Sequence, residues 1–249
     1  MSFNFICDFL RKELNSVSSE SKTRNMKRLT FFSFLLVVIS ACAQSQNAGN
    51  ETVNNTEPAE QIDNGYVRKP GIDTLQTAYF ASGCFWCVEG VYEAVEGVAE
   101  AESGYAGGTK VDPTYTEVCS GLTGHAETIK VYYDSTVVSF AELVDVFFNS
   151  HDPSTLNQQG PDKGTQYRSI AFYENEREKA IIEEKILTLL TEKVYGTITT
   201  EVEELDTFYV AEDYHQNFVE RNQKHPYVNS VSKPRINKFK EKMPEVIEK

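Results

Sequence analysis

An α+β fold, with helices packed on one mostly antiparallel sheet, is predicted for this 249-residue chain by three observations. From Leu75 onward, stretches of strand-like alternation take turns with stretches of helical periodicity. Few of them form the strict strand–helix–strand units from which a parallel sheet is built. The apolar patterning also starts only after about 70 residues of different character, which leaves one folded unit of about 180 residues, enough to bury a core without disulfide staples.

Thr77 to Ala81 reads as the first strand. Phe85, Val88, Val91, Tyr92 and Val95 recur at helical spacing until Gly97. Glu100 to Tyr105 and Glu127 to Tyr133 read as strands, the second setting Thr128, Lys130 and Tyr132 against Ile129, Val131 and Tyr133. Phe140 to Asn149 is a helix with Leu143, Val144, Phe147 and Phe148 on one face. Ser169 to Tyr173 is a strand, Glu176 to Lys193 a long helix with a solvated acidic face, and Thr197 to Glu203 a further strand. Two long loops, Gly104 to Gly124 and His151 to Arg168, carry aromatic and polar residues, a content that favours function over disorder.

Ahead of this unit, Met26-Lys27-Arg28 followed by the apolar run Leu29 to Ile39 has the form of an export signal, too short to span as a mature helix. The segment 1–41 is assigned to it, with Met26 as the start. The run closes on Ile39-Ser40-Ala41-Cys42, which resembles a bacterial lipobox, so Cys42 is expected to carry lipid and hold the protein on the cell envelope; an ordinary cleavage near Ala43 is the alternative. Residues 42–71, rich in Gln, Asn, Glu, Ser, Thr and Gly, read as a tether, and 72–249 as the catalytic domain.

With 37 acidic against 24 basic residues, the net charge is -13. Removing the signal makes the chain more acidic still. Such a surface repels nucleic acid and anionic headgroups, and a monomer is the expectation for a domain of this size and charge. Five cysteines, Cys7, Cys42, Cys84, Cys87 and Cys119, are too few and too unevenly spaced for a disulfide scaffold.

The chemistry concentrates at Gly83-Cys84-Phe85-Trp86-Cys87-Val88-Glu89-Gly90, where a strand gives way to a helix. A thiol at a helix N-terminus meets unpaired N–H groups that favour thiolate, which makes Cys84 the candidate nucleophile and predicts a depressed pKa. Phe85 and Trp86 set an apolar wall beside it. Zinc would need distant recruits such as Cys119 with His125, His151, His215 or His225, and Val88 excludes covalent haem. A thiol/disulfide role and a purely structural buried pair remain. Cβ atoms at i and i+3 of a helix lie farther apart than a disulfide prefers, so a Cys84–Cys87 bridge is expected to be strained and easily reduced.

Four separated motifs, Gly83-Cys84-Phe85-Trp86, Gly104-Tyr105-Ala106-Gly107-Gly108, Gly124-His125-Ala126-Glu127 and Gly164-Thr165-Gln166-Tyr167-Arg168-Ser169, resemble in order and separation the peptide methionine-S-sulfoxide reductase (MsrA) family. Similar stretches at His151-Asp152-Pro153, Phe208-Tyr209, Tyr214-His215-Gln216 and Pro226-Tyr227 extend the match over about residues 76 to 240. The resemblance implies a ferredoxin-like two-layer core, no cofactor or metal, and reduction of methionine-S-sulfoxide in proteins. It implies Cys84 as nucleophile, Glu127 as general acid, Tyr105 and Tyr167 as donors to the sulfoxide oxygen, Phe85 and Trp86 around the S-methyl group, and Asp162 on the polar side. His215 is a supporting guess. No cysteine follows Cys119, whereas many relatives recycle through a C-terminal tail; Cys87 replaces them as resolving thiol, the disulfide being reduced by a thioredoxin-like protein. Cys119 reads as a buried spectator, with a role as a second resolving thiol as the alternative.

Without the motifs each assignment has a plainer reading. Glu127 would be a solvated carboxylate, the tyrosines half-buried packing residues, and Phe85 and Trp86 core aromatics. The alternatives as whole functions are an exported thiol/disulfide oxidoreductase acting on protein cysteines and a lipid-anchored zinc-binding module.

Overall fold

The structure, a computed structural model, describes residues 62–63, 66–67 and 71–247. The export segment, Cys42 and most of the tether lie outside them. Within the stretch read as a tether, β1 (Ile62–Asp63) and β2 (Tyr66–Val67) pair antiparallel, Ile62 opposite Val67. Asn64-Gly65 between them is a strong hairpin-turn signal, which accounts for structure where composition alone predicts none.

The main sheet is built from β3 (Gln76–Ser82), β4 (Val98–Ala106), β5 (Ala126–Tyr133), β8 (Ser169–Tyr173), β9 (Glu201–Glu204) and β10 (Tyr209–Val210) in the order β10-β4-β5-β3-β8-β9. The pair β8–β9 is parallel and the rest antiparallel. A further hairpin pairs β6 (Gln158–Gln159) with β7 (Asp162–Lys163). Helix α1 (Phe85–Tyr92) links β3 to β4, and α3 (Phe140–Ser150) links β5 to β8. The core is therefore β-α-β-β-α-β with β4, β5, β3 and β8 side by side, the ferredoxin-like arrangement, and the α+β expectation holds. The mixed order seen in the sequence reflects two crossovers that each skip a strand.

Alternation along the strands assigns their faces. Phe80 turns toward the helices and stacks on Tyr92 of α1 (5.2 Å between centroids) and Phe147 of α3 (5.3 Å). Tyr79 and Ala81 turn the other way into a cluster with Ala106, Ala126, Ile170 and Phe172, covered by Leu205 and Phe208. Both faces are thus buried. Since Phe80 pairs with Ile129 and Tyr105 with Glu127, the two-residue period places Glu127 on the helix-covered face, in a row otherwise made of Ile129, Val131 and Tyr133.

Three helices begin on side-chain caps. Ser139 and Glu142 form a reciprocal box for α3, Thr114 and Glu117 do the same for α2 (Tyr115–Cys119), and Asn175 caps α4 (Glu176–Thr191). The expected first helix extends to Val95, whereas α1 stops at Tyr92, and Val95 instead bridges to Ile247. The expected last strand starts at Thr197, but pairing with β8 covers only Glu201–Glu204; Thr199 is drawn away by its N–H donating to Pro153 O at 2.7 Å. Beyond β10 come α5 (Phe218–Arg221), a π-turn at Val228–Ser232 and α6 (Lys233–Lys242), which packs on α1 and α3.

Candidate active site

Where β3 meets α1, Gly83 adopts φ +95, and a Cβ there would lie 2.6 Å from Gln159 Cβ. Glycine is required for both reasons. The next residue, Cys84, is the N-cap of α1 with φ -54 and ψ 119, and its sulfur is buried. Cys87 lies in the first turn, its N–H donating to Cys84 O at 3.0 Å, and both cysteines are free thiols. Because Cys84 is at the cap rather than within the helix, its side chain can fold over the first turn as capping side chains do. The regular i,i+3 spacing that predicts a strained bridge does not apply.

The expectation of a depressed Cys84 pKa is corrected. Burial pushes the Cys84 thiol well up, and Cys87, Glu127 and Asp162 push in the same direction. Desolvation and acidic neighbours outweigh the field of a helix end. Cys87 is lowered to about 7, chiefly as acceptor of the Cys84 hydrogen bond, with Arg235 and Ser232 Oγ, 3.3 Å from its sulfur, assisting against burial.

Glu127 Oε2 accepts the Phe85 N–H at 3.0 Å, which fixes the carboxyl at the tip of α1. Its Oε1 is buried without a partner. Burial holds this carboxyl well above the usual range, and Asp162 and Cys87 add to the effect while the Phe85 N–H opposes it. A neutral acid with one unclaimed oxygen stands beside a sulfur. Tyr167, at the end of a 3-10 turn, is likewise buried with an unpartnered hydroxyl, and its burial and the nearby Glu127 and Cys84 keep the phenol protonated. Asp162, in the β6–β7 hairpin, accepts from Tyr227 Oη and is raised to about 6 by burial.

Tyr105 is redirected. Its hydroxyl donates to Glu212 Oε2 at 2.9 Å, and Glu212 Oε1 accepts the Tyr115 N–H at 3.0 Å. Tyr105 thus braces the start of α2, and the phenol this brace presents is that of Tyr115. That ring stacks on Phe85 (6.3 Å, 17°), and after burial the influences on its hydroxyl are Glu127, Tyr167 and Cys84. Tyr115 is the site residue that sequence reasoning misses. The signal available is Thr114-x-x-Glu117, a capping box that puts Tyr115 at a helix start facing the core.

Phe85 and Trp86 are buried as expected. Trp86 stacks on Phe218 at 3.6 Å and 6°, and its Nε1–H donates to His215 Nδ1 at 3.1 Å. Burial lowers His215 to about 3, so the neutral ring carries its proton on Nε2, 4.0 Å from Glu212. His215 links the aromatic wall to the Tyr105–Glu212 brace. Cys119, expected to be buried, is half-buried at the end of α2. Among the described residues no group of three His, Cys, Asp or Glu is placed to hold a metal ion.

The family model "Peptide methionine sulfoxide reductase" matches residues 76–247. Among curated relatives, "Peptide methionine sulfoxide reductase MsrA" of Pasteurella multocida is 48% identical over 174 residues, covering 69% of this chain and 98% of that protein. The protein of the same name from Vesicomyosocius okutanii is 44% identical over 167 residues, covering 66% and 98%. Of solved structures, methionine sulfoxide reductase A of Corynebacterium diphtheriae superposes with TM-score 0.57 at 35% identity, covering 68% of this chain and 84% of that one. Reduced Mxr1 from Saccharomyces cerevisiae gives 0.57 at 34% identity, covering 60% and 87%.

Proposed function

The chain belongs to the peptide methionine sulfoxide reductase family, and from that premise we propose how its residues divide the work of reducing methionine-S-sulfoxide in proteins and as the free amino acid. The observation that carries the assignment is the unpartnered Glu127 Oε1 and Tyr167 hydroxyl buried around the Cys84 sulfur.

A sulfoxide is neutral and polar at oxygen, so it gains from donors that need not be charged. Tyr167 and Tyr115 hold the oxygen, in place of the expected Tyr105, while Phe85 and Trp86 enclose the methyl group through apolar and sulfur–aromatic contact. Cys84 gives up its thiol proton, toward Cys87, as its sulfur attacks the sulfoxide sulfur. Glu127 protonates the oxygen. The hydroxyl passes from the methionine sulfur to the Cys84 sulfur as the first S–O bond and the newly formed S–S bond both break, so that the thioether of methionine leaves and Cys84 is left as sulfenic acid. Cys87, already inclined to the thiolate, attacks that sulfur; water departs and the Cys84–Cys87 disulfide forms. A thioredoxin-like dithiol returns both thiols at the cost of its own oxidation. Asp162 and Tyr227 bound the polar side, and His215 holds Trp86 in place.

The thiol/disulfide oxidoreductase reading is not favoured, because exchange between cysteines has no use for a neutral carboxyl and phenols beside the nucleophile. The deciding assay offers the reduced enzyme methionine sulfoxide of defined chirality. Consumption of the S epimer alone is expected; equal use of both, or none with disulfide repair instead, contradicts the assignment. The chain further acts as an exported monomer tethered through lipid on Cys42, supported by the signal-like run and lipobox. Loss of labelled-palmitate incorporation in Cys42→Ser is expected, and retention refutes it.

A further inference from the structure

Beside the Tyr167 hydroxyl, a second buried polar atom of the same turn bonds to nothing. It is Nε2 of Gln166, a residue 1% exposed. A buried donor left unsatisfied costs stability, so a folded protein keeps few of them, and each one kept calls for a reason. Both side chains project from one 3-10 turn, Thr165–Tyr167, whose backbone is tied down. Gly164 N–H donates to Asn157 O at 3.0 Å, Tyr167 N–H to Gly164 O at 3.0 Å, and Arg168 Nη1 to Thr165 O at 3.1 Å. Gly164, at φ +143, makes room for the amide, since a Cβ there would collide with Gln166 Oε1. Burial raises the Tyr167 pKa most, Glu127 and Cys84 add to it, and Gln166 opposes them, as an N–H lying near the phenol oxygen does. That N–H stands close to the oxygen without completing a hydrogen bond.

Resting on the assignment of Tyr167 to the sulfoxide oxygen, we propose that Gln166 is a positioning residue, whose Nε2–H donates to Tyr167 Oη when substrate binds and so holds the phenol hydrogen toward the sulfoxide oxygen. The chain runs from amide to phenol to sulfoxide. A phenol hydrogen rotates to suit its surroundings, and an N–H arriving at the oxygen from one side leaves that hydrogen the other. A phenol that accepts one bond is also the stronger donor, which matters most as negative charge grows on the sulfoxide oxygen ahead of proton transfer from Glu127. Bonds of this kind are long in a site without substrate and tighten when it is filled.

The test is a double-mutant cycle on the reduced full chain, read as methionine formed in a single turnover with excess methionine-S-sulfoxide. Gln166→Met keeps the length of the side chain and removes the donor. It is expected to slow the chemical step about threefold to tenfold in the native background and to have no further effect in Tyr167→Phe, where no phenol remains to be directed. Stability is the second reading. Deleting a buried donor that bonds to nothing should leave the urea midpoint unchanged or raised, whereas a residue that only braces the fold loses stability when replaced. Gln166→Leu should behave as Gln166→Met does. A native rate in Gln166→Met, a loss that repeats in full on Tyr167→Phe, a lowered urea midpoint, or failure of both Gln166 variants to fold overturns the proposal. A native rate in Tyr167→Phe itself, or no methionine from the unaltered enzyme, overturns the catalytic reading instead, and both are measured with Gln166 in place.

Discussion

Replacing Glu127 by Gln removes a proton and little else. The amide oxygen can still accept the Phe85 N–H that Oε2 accepts at 3.0 Å, so the side chain keeps its place at the tip of α1. Its NH2 replaces the oxygen that has no partner, a change within about 1–3 kcal/mol of stability. What disappears is the acid. Because burial holds the Glu127 pKa well above the ordinary carboxylate value, the native enzyme keeps the proton to higher pH than a solvated carboxyl would, and losing a positioned general acid costs about 10²- to 10⁴-fold. The assay is a single turnover, mixing reduced enzyme with excess methionine-S-sulfoxide and quantifying methionine against time, with binding measured separately. The expected result is unchanged binding with a chemical step slowed at least a hundredfold. The native rate should fall as pH rises through the raised Glu127 pKa, and Glu127→Gln should lack that limb. An unaltered rate at neutral pH, or the same alkaline limb in both proteins, refutes the assignment.

Other outcomes follow from the same geometry. Tyr167→Phe and Tyr115→Phe should each slow the chemical step about tenfold or more, whereas Tyr105→Phe should mainly cost stability, about 1 kcal/mol by urea unfolding, since its hydroxyl serves Glu212. Cys87→Ser should release one methionine per enzyme and then stall with a dithiol protein as reductant; sustained turnover moves the resolving role elsewhere. Glu89, buried on α1 where it accepts from Ser103 Oγ at 2.7 Å and the Asn217 N–H, has a pKa raised first by burial. A folded-state value above the unfolded one stabilises fully below the unfolded pKa, and that contribution is lost as pH rises through the folded pKa. Glu89→Gln should therefore flatten the alkaline decline in unfolding free energy, and an unchanged pH profile speaks against a neutral Glu89.

Much of this architecture could be read from periodicity, because β3, β5, α3 and β8 carry apolar patterns long enough to state both element and buried face. Residues after β10 could not. Short turns, a four-residue helix and a π-turn offer no repeat to read. At the site, motif spacing brings out Cys84, Cys87, Glu127 and Tyr167, and the structure brings them together. Tyr105 drew attention because a glycine-rich motif surrounds it, yet a strand residue's hydroxyl goes wherever its partner lies, here Glu212 from 107 residues away. Tyr115 had only a five-residue helix to announce it. The cysteine pKa shows a similar limit. A helix end is visible in a sequence, but the burial that overrides its field is a property of packing from α1, β5 and α6.

The most direct measurement is made on Cys87→Ser, in which the oxidised Cys84 cannot be resolved. Reduced enzyme is mixed with methionine-S-sulfoxide and dimedone, and the methionine released is compared with dimedone adduct by mass spectrometry. A buried Cys84 sulfur that takes oxygen from the substrate gives one methionine and one adduct on Cys84 per enzyme. Methionine released without an adduct at Cys84 contradicts the account.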